Sequence, residues 1–98
     1  MTTQLILLGT RRPDTDDDFK AYVSVAGPLF AAAGGTWNGQ FDRVDDLAGE
    51  GPDQVRIMDF PDEDTIRALF GSAEYRQVIP LRDKAFEELR IIVATTAP

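Results

Sequence analysis

The stretch QLILLGT at residues 4–10 decides the fold class, because both of its alternating faces are apolar. Ile6 and Leu8 lie on one face of the predicted strand, and Leu5 and Leu7 lie on the other. A strand with this pattern is covered on both sides. The sequence therefore predicts a sheet that packs against helices on one face and needs a cover on its second face as well.

A helix is predicted after this strand, because apolar residues recur at three- and four-residue steps. Asp16 or Asp17 can cap its start, and Gly34-Gly35 can end it with a left-handed cap. Pro28 lies inside the pattern and predicts a kink or a break. The apolar face consists of Phe19, Tyr22, Val23, Ala26, Leu29, Phe30 and Ala33.

Three further strands are predicted at residues 36–44, 54–60 and 90–95, with a bulge or tight bend at Asn38-Gly39. Together with two helical regions they give the order β-α-β-β-α-β, which is the ferredoxin-like motif. We therefore predict an α+β fold with a four-stranded antiparallel sheet and the helices on one face.

The second helical region follows the third strand, and Asp62 can cap its start. Gly71-Ser72 interrupts the region, and Pro80 makes its later part irregular. The later part is predicted to be a helix whose core-facing stripe contains Tyr75, Val78, Ile79, Arg82, Ala85, Phe86 and Leu89.

Composition limits the chemistry of the chain. Its 98 residues are expected to form a single domain over residues 1–98. The 17 acidic and 10 basic side chains give a formal charge of −7, which disfavours nucleic acid and anionic membranes as partners. The absence of cysteine and histidine excludes disulfides, thiolate metal sites and a Ser-His-Asp triad.

We expect neither a cofactor nor a metal ion. The acidic run Asp14, Asp16, Asp17 and Asp18 lacks the ordered spacing and the distal glutamate of a calcium loop. The first residues do not resemble a signal peptide, and no apolar run approaches the ~20 residues of a membrane span. Cytoplasmic location is the default expectation.

The run FPDEDTIRALFGSAEYRQVIPLRDKA at residues 60–85 resembles the family of unknown function 1330. Leu69 and Phe70 stand where that family usually has Trp and Tyr. The positions that match its pattern are Phe60-Pro61, Ser72, Glu74-Tyr75 and Leu81-Arg82, with Tyr22, Pro28 and Gly34-Gly35 in the first helix and turn.

The resemblance implies the dimeric α/β-barrel superfamily, which includes cofactor-free monooxygenases, muconolactone-type isomerases and polyketide cyclases. It therefore implies a homodimer in which two sheets meet face to face. Likeness of fold to those enzymes does not by itself identify a reaction.

Three residues are candidates for catalysis. Arg82 shares an apolar stripe, so its guanidinium either holds a carboxylate, enolate or phenolate, or forms a structural ion pair, for example with Asp59. Asp59 shares a strand face with apolar residues, so it either acts as a general base or pairs with an arginine. The Tyr75 hydroxyl either meets a ligand oxygen or belongs to the core.

Four residues are candidates for substrate binding. Trp37 can stack on a planar substrate or fill the dimer interface, and Tyr22 can offer a hydroxyl or serve as a core aromatic. Phe70 can shape a cavity, and Ser72 either contacts a ligand or caps a helix.

Two functional hypotheses remain open at this point. The first is a cofactor-independent enzyme, of isomerase, cyclase or monooxygenase type, acting on a small, partly apolar, anionic or enolisable compound. The second is a non-catalytic module that binds a small ligand or serves as an accessory dimer. Whether the chain is an enzyme stays uncertain on sequence alone.

Overall fold

The computed structural model describes residues 2–97, which form a four-stranded antiparallel sheet with helices packed on one face. The strands are β1 (Thr3–Arg11), β2 (Thr36–Asp42), β3 (Gln54–Phe60) and β4 (Phe86–Thr95). The helices are α1 (Asp16–Ala32), α2 (Glu63–Gly71), α3 (Ala73–Arg76) and α4 (Ile79–Ala85). The strand order is β2-β3-β1-β4, so the predicted ferredoxin-like α+β fold is confirmed.

β1 lies inside the sheet and has apolar side chains on both of its faces, as predicted. It pairs with β3 on one side and with β4 on the other. Leu5 and Leu7 are buried in the core beneath the helices, whereas Ile6 and Leu8 point to the opposite side and are only half-buried. We call the side that packs on the helices the helix face.

The opposite side, here called the open face, carries an apolar patch that no element within residues 2–97 covers. Register with Ile6 and Leu8 of β1 assigns the other side chains to this face. Its exposure is substantial, since Phe41 is 57% exposed and Ile92 is 40% exposed. The apolar patch of the open face consists of Ile6, Leu8, Phe41, Val55, Ile57 and Ile92.

The C-terminal end of α1 is closed as the glycine pair predicted. Gly34 has a φ of +91°, its amide donates to the Ala31 carbonyl at 3.0 Å, and the Gly35 amide donates to the Phe30 carbonyl at 3.0 Å. These two bonds form a Schellman motif, which satisfies carbonyl groups that the helix leaves free.

The start of α1 differs from prediction, and of the kink or break predicted at Pro28 the break does not occur. Thr15 takes the N-cap position, and its hydroxyl donates to the Arg12 carbonyl at 2.7 Å, so Asp16 and Asp17 lie in the first turn instead. Pro28 does not split the helix. Pro28 and Ser24 are both exposed, so water can replace the backbone hydrogen bond that proline cannot make.

The second helical region is interrupted at Ser72, as predicted, and again between Arg76 and Ile79, close to Pro80 where irregularity was expected. The prediction that Phe86 and Leu89 continue the last helix is wrong, because β4 begins at Phe86. Leu89 pairs with Gly9 and Phe86 pairs with Arg11, with a register shift between these pairs. The resulting bulge puts two residues three positions apart on one face, which imitates a helical step.

Gly34→Ala should destabilise the fold by about 1–2 kcal/mol, because a left-handed residue with a Cβ is strained. The new Cβ would also meet Pro61 Cγ at 3.0 Å. Gly27→Ala is the matched control inside α1, where a Cβ meets no atom within 4 Å. We expect it to stabilise the fold by about 0.5–1 kcal/mol. Equal effects of the two substitutions in urea unfolding would contradict the assignment of Gly34 as the cap.

Candidate functional site

A cleft of about 210 Å³ opens between α1 and the helix face of the sheet. Apolar and aromatic side chains make up most of its surface. The rings of Phe19 and Phe86, which both line the cleft, meet edge to face at 5.8 Å. The aromatic residues that line the cleft are Phe19, Tyr22, Phe30, Trp37 and Phe86.

The sheet side of the cleft carries three polar side chains, Gln40, Gln54 and Arg56. The Arg56 guanidinium donates to the Phe41 carbonyl at 2.6 Å and to Asp42 Oδ1 at 3.0 Å, which fixes its position. No carboxylate lines the cleft, so Arg56 is its one formal charge among the residues that the structure describes. An anionic group on a ligand is therefore favoured over a cationic one.

A chain of hydroxyl groups meets the cleft from the helix side. The Tyr22 and Tyr75 hydroxyl oxygens are 2.9 Å apart, and Arg82 Nη1 donates to the Tyr75 oxygen at 3.3 Å. Tyr22 lines the cleft, whereas Tyr75 is 1% exposed. The structure thus brings together three residues that the sequence had singled out.

The surroundings of Tyr22 and Arg82 keep both side chains in their usual protonation states. Burial raises the pKa of Tyr22, and the adjacent Tyr75 raises it further, so the hydroxyl stays protonated at neutral pH. Burial by itself lowers the pKa of Arg82, but the hydrogen bond to Tyr75 and the charge of Asp83 outweigh it, so the net pKa is raised. Arg82 is therefore a permanent cation.

Asp59 lies on the opposite side of the sheet from Tyr22, Tyr75 and Arg82. Its register with Val55 and Ile57 is as predicted, but that side is the open face. The carboxylate accepts from Gln4 at 3.1 Å and from Asn38 at 3.1 Å. The ion pair suggested between Arg82 and Asp59 does not form, because the sheet separates them. A role for Asp59 as a base remains a prediction that requires a ligand on the open face.

Trp37 stands at the rim of the cleft and is 53% exposed, where it can contact a ligand. Phe70 lies behind the hydroxyl chain, with its ring 4.6 Å from that of Tyr75. The Ser72 hydroxyl accepts from the Tyr75 amide at 3.1 Å and donates to the Leu69 carbonyl at 2.7 Å, so it caps α3. Phe70 and Ser72 thus hold Tyr75 in place.

A second, larger cavity of about 700 Å³ lies at one end of the sheet beside the β2–β3 connection. Its lining is mostly charged and includes Arg43, Asp46, Glu87 and Arg90. Within residues 2–97, no three acidic, histidine or cysteine side chains are grouped as metal ligands would be. None of the helices in this range has both the length and the apolar character needed to cross a bilayer.

The sequence reasoning missed Arg56, Gln40 and Gln54. The sequence did contain a signal for Gln54 and Arg56. Side chains at every second position of a strand point to the same face, so these two share a face with the core residues Met58 and Phe60. The apolar residues of the opposite parity, Val55 and Ile57, drew attention to the wrong face.

Comparison with known proteins identifies relatives of this chain by sequence and by shape. The model of a family described as a domain of unknown function (DUF1330) matches residues 7–96. A solved structure of a protein of unknown function from Rhodopseudomonas palustris is 23% identical, with a TM-score of 0.84 over 99% of this chain and 83% of that one. No functionally curated protein matches the chain.

Two other solved structures are described as dimeric and ferredoxin-like. The protein from Bacteroides fragilis is 12% identical, with a TM-score of 0.64 over 97% of this chain and 96% of its own. The protein from Thermobifida fusca is 18% identical, with a TM-score of 0.62 over 98% of this chain and 92% of its own. At these identities the likeness is evidence for the fold.

Tyr22→Phe should change how stability depends on pH. The pKa of Tyr22 is raised above its ordinary 10.0, so above that pH the unfolded chain loses a proton that the folded chain retains. The contribution of this hydroxyl is thus complete below about pH 10 and is lost as pH rises, by up to about 1.4 kcal/mol per pH unit. Urea unfolding at increasing alkaline pH should show a shallower decline for Tyr22→Phe than for the wild type.

The control for this experiment is Phe19→Leu, which alters packing in the same cleft and leaves the Tyr22 hydroxyl in place. Its free energy of unfolding should decline with pH in parallel with that of the wild type. Parallel curves for wild type and Tyr22→Phe would contradict the burial of this hydroxyl.

Proposed function

The chain belongs to the DUF1330 family, and we propose that it is a cofactor-independent enzyme acting on a small, partly apolar, anionic or enolisable compound. The proposed site is the cleft between α1 and the sheet. The observation that carries the proposal is an aromatic cleft whose lining contains one guanidinium, Arg56, and no carboxylate.

The size and lining of the cleft limit the compound to a small planar one. A cavity of about 150 Å³ in another protein accommodates benzene. The cleft here, at about 210 Å³, has room for a single ring with a short substituent. Aromatic walls favour such a ring through offset and edge-to-face contacts.

Arg56 supplies the preference for an anion. Two of its hydrogen bonds go to backbone carbonyls and one to Asp42, so donor hydrogens remain for a ligand. Asp42 offsets little of the charge in the cleft, because its side chain is 82% exposed and is screened by water. A carboxylate in the cleft would gain a charge-assisted hydrogen bond.

Enolisation of a keto acid fits these features without a cofactor. A proton leaves the carbon beside the ketone, the electron pair moves to the ketone oxygen, and a proton is then taken up there. Water at the open rim can accept and return the proton. Arg56 lowers the barrier by offsetting the carboxylate charge, which otherwise opposes a second negative charge nearby.

A second candidate is a non-catalytic module that binds the same class of compound. It is favoured by the absence of a carboxylate or imidazole among the residues lining the cleft, which leaves no protein group there as a strong base. The two candidates differ in turnover and not in binding.

Phenylpyruvate tests both candidates, because it combines one ring, a carboxylate and an enolisable ketone. The chain has a single tryptophan, Trp37, at the rim, so quenching of its fluorescence reports occupancy. We expect quenching, and an accelerated approach of the keto and enol forms to equilibrium, followed by absorbance. Arg56→Gln should weaken binding about 10- to 100-fold, as expected when a charged hydrogen bond is lost.

Arg67→Gln is the matched control, because Arg67 pairs with Glu63 on the surface of α2 and does not line the cleft. It should leave both binding and turnover unchanged. Binding without acceleration would favour the non-catalytic module, and absence of quenching would overturn the cleft as the site. Equal losses in the two arginine variants would overturn the role of Arg56.

We propose in addition that the chain forms a homodimer through the open face. The apolar patch there includes Phe41 at 57% and Ile92 at 40% exposure, which a second sheet would cover. The structural neighbours from Bacteroides fragilis and Thermobifida fusca, described as dimeric, support this arrangement. An isologous contact of this kind closes with two copies.

Ile92→Asp should convert the proposed dimer to a monomer, because a carboxylate would be buried without a partner at the interface. Val25→Asp is the control, since Val25 on α1 is 43% exposed, close to the 40% of Ile92, but lies away from the open face. Sedimentation should give a monomer for Ile92→Asp and a dimer for Val25→Asp. The same mass for both variants would contradict the proposed interface.

A further inference from the structure

We propose that the Tyr22 hydroxyl donates a hydrogen bond to an enolate or phenolate oxygen of the compound in the cleft, and that Tyr75 and Arg82 fix the direction of that hydrogen bond. The inference rests on the proposed function, because it needs the cleft to be the site. It adds a second recognition point, at the helix side, to the one that Arg56 provides on the sheet side.

The direction of the hydrogen bonds begins at Arg82. A guanidinium has only donors, so the 3.3 Å contact from Arg82 Nη1 makes the Tyr75 oxygen an acceptor. The Tyr75 proton is therefore directed elsewhere. At 2.9 Å, the Tyr22 oxygen is within hydrogen-bond distance.

The opposite direction between the tyrosines would leave a buried proton unpaired. If Tyr22 donated to Tyr75, the Tyr75 oxygen would accept twice and its own proton would need a third partner. Within residues 2–97 the Tyr75 hydroxyl contacts only Tyr22 and Arg82, and Tyr75 is 1% exposed. An unsatisfied buried donor costs about 1–3 kcal/mol, so donation from Tyr75 to Tyr22 is the favoured direction.

In that arrangement the Tyr22 oxygen accepts from Tyr75, and its own proton is free to enter the cleft. Tyr22 is among the residues that line the cleft, whereas Tyr75 is not. In the proposed role, a ligand oxygen in the cleft accepts this proton. Chains of hydrogen bonds polarise their members. Burial has the larger effect on the pKa of Tyr22 and raises it, whereas the positive charge of Arg82 acts along this chain and lowers it.

Packing holds the chain in this geometry. The Tyr75 ring lies 4.6 Å from that of Phe70 and is stacked on that of Phe30 at 6.3 Å. The Tyr22 ring meets that of Phe86 edge to face at 6.3 Å. A donor that is already oriented needs no reorganisation when charge develops on a ligand, which is the requirement for oxyanion stabilisation.

The site therefore takes a compound with two oxygen-bearing groups. Its carboxylate meets Arg56, and its ketone, enol or phenol oxygen meets Tyr22. Aromatic keto acids and hydroxy-substituted aromatic acids have this chemistry. The charged groups near the two ends are Arg56 with Asp42, and Arg82 with Asp83.

The probe is 4-nitrophenol, whose neutral and ionised forms absorb at different wavelengths. Bound to the wild type, it should ionise about one pKa unit below its value in buffer, which corresponds to about tenfold tighter binding of the phenolate than of the phenol. Tyr22→Phe should abolish the shift. Tyr75→Phe and Arg82→Gln should reduce it while leaving the affinity for the neutral probe unchanged, since they act through Tyr22.

Two further variants test whether the pKa shift of the probe depends on the direction of the hydrogen bonds or only on side-chain packing. Phe70→Leu loosens the packing around Tyr75 and keeps every hydroxyl, so it should retain more of the shift than Tyr75→Phe. Arg82→Lys keeps a charged donor and should retain more of the shift than Arg82→Gln. Circular dichroism and thermal unfolding of each variant establish that it is folded before the probe is added.

Each outcome decides the inference. Binding of 4-nitrophenol with an unchanged pKa, or a shift that survives Tyr22→Phe, overturns the role of Tyr22 and leaves the proposed function intact. Binding of phenylpyruvate without binding of 4-nitrophenol also overturns the role of Tyr22 and leaves the proposed function intact. Failure of both compounds to quench Trp37 overturns the proposed function itself.

Discussion

The pairing of β1 with both β3 and β4 is the constraint on which the rest of the structure depends. It places a strand with two apolar faces inside the sheet, so that Leu5 and Leu7 form the floor of the helical core while Ile6 and Leu8 face outward. The helix face then needs α1 as a cover, and incomplete closure between them leaves the cleft. The open face keeps its apolar patch because the helices within residues 2–97 pack on the other side of the sheet.

A second constraint couples the helices to one another. The hydroxyl contact between Tyr22 on α1 and Tyr75 on α3 is buried, and Arg82 on α4 donates into it. A buried polar group costs free energy unless its partners are all present. The hydrogen bonds among Tyr22, Tyr75 and Arg82 therefore favour one relative placement of the three helices. In the proposed role of Tyr22, the same requirement directs its hydroxyl group towards a ligand in the cleft.

The misplaced expectations share one physical origin. Asp59 and Arg82 each lie on a face that their own element makes partly apolar, but those faces belong to opposite sides of the sheet. Arg56 escaped notice because its neighbours in sequence, Val55 and Ile57, seemed to mark the buried side, whereas Met58 and Phe60 mark it. The bulge opposite Arg11 set Phe86 and Leu89 three residues apart on one face, which periodicity alone cannot distinguish from a helix.

Four features could be predicted from sequence alone: the order of strands and helices, the apolar character of both faces of β1, the glycine closure of α1 and the irregularity of the second helical region at Pro80. These features depend on local geometry, namely the two-residue repeat of a strand, the left-handed conformation open to glycine and the missing amide of proline. Three others depend on how distant elements pack, namely that Tyr22, Tyr75 and Arg82 meet, that Asp59 does not join them, and that Arg56 lies in the cleft. Periodicity reports which side of its own element a residue occupies, whereas the partner across the gap is set by the packing of elements distant in sequence.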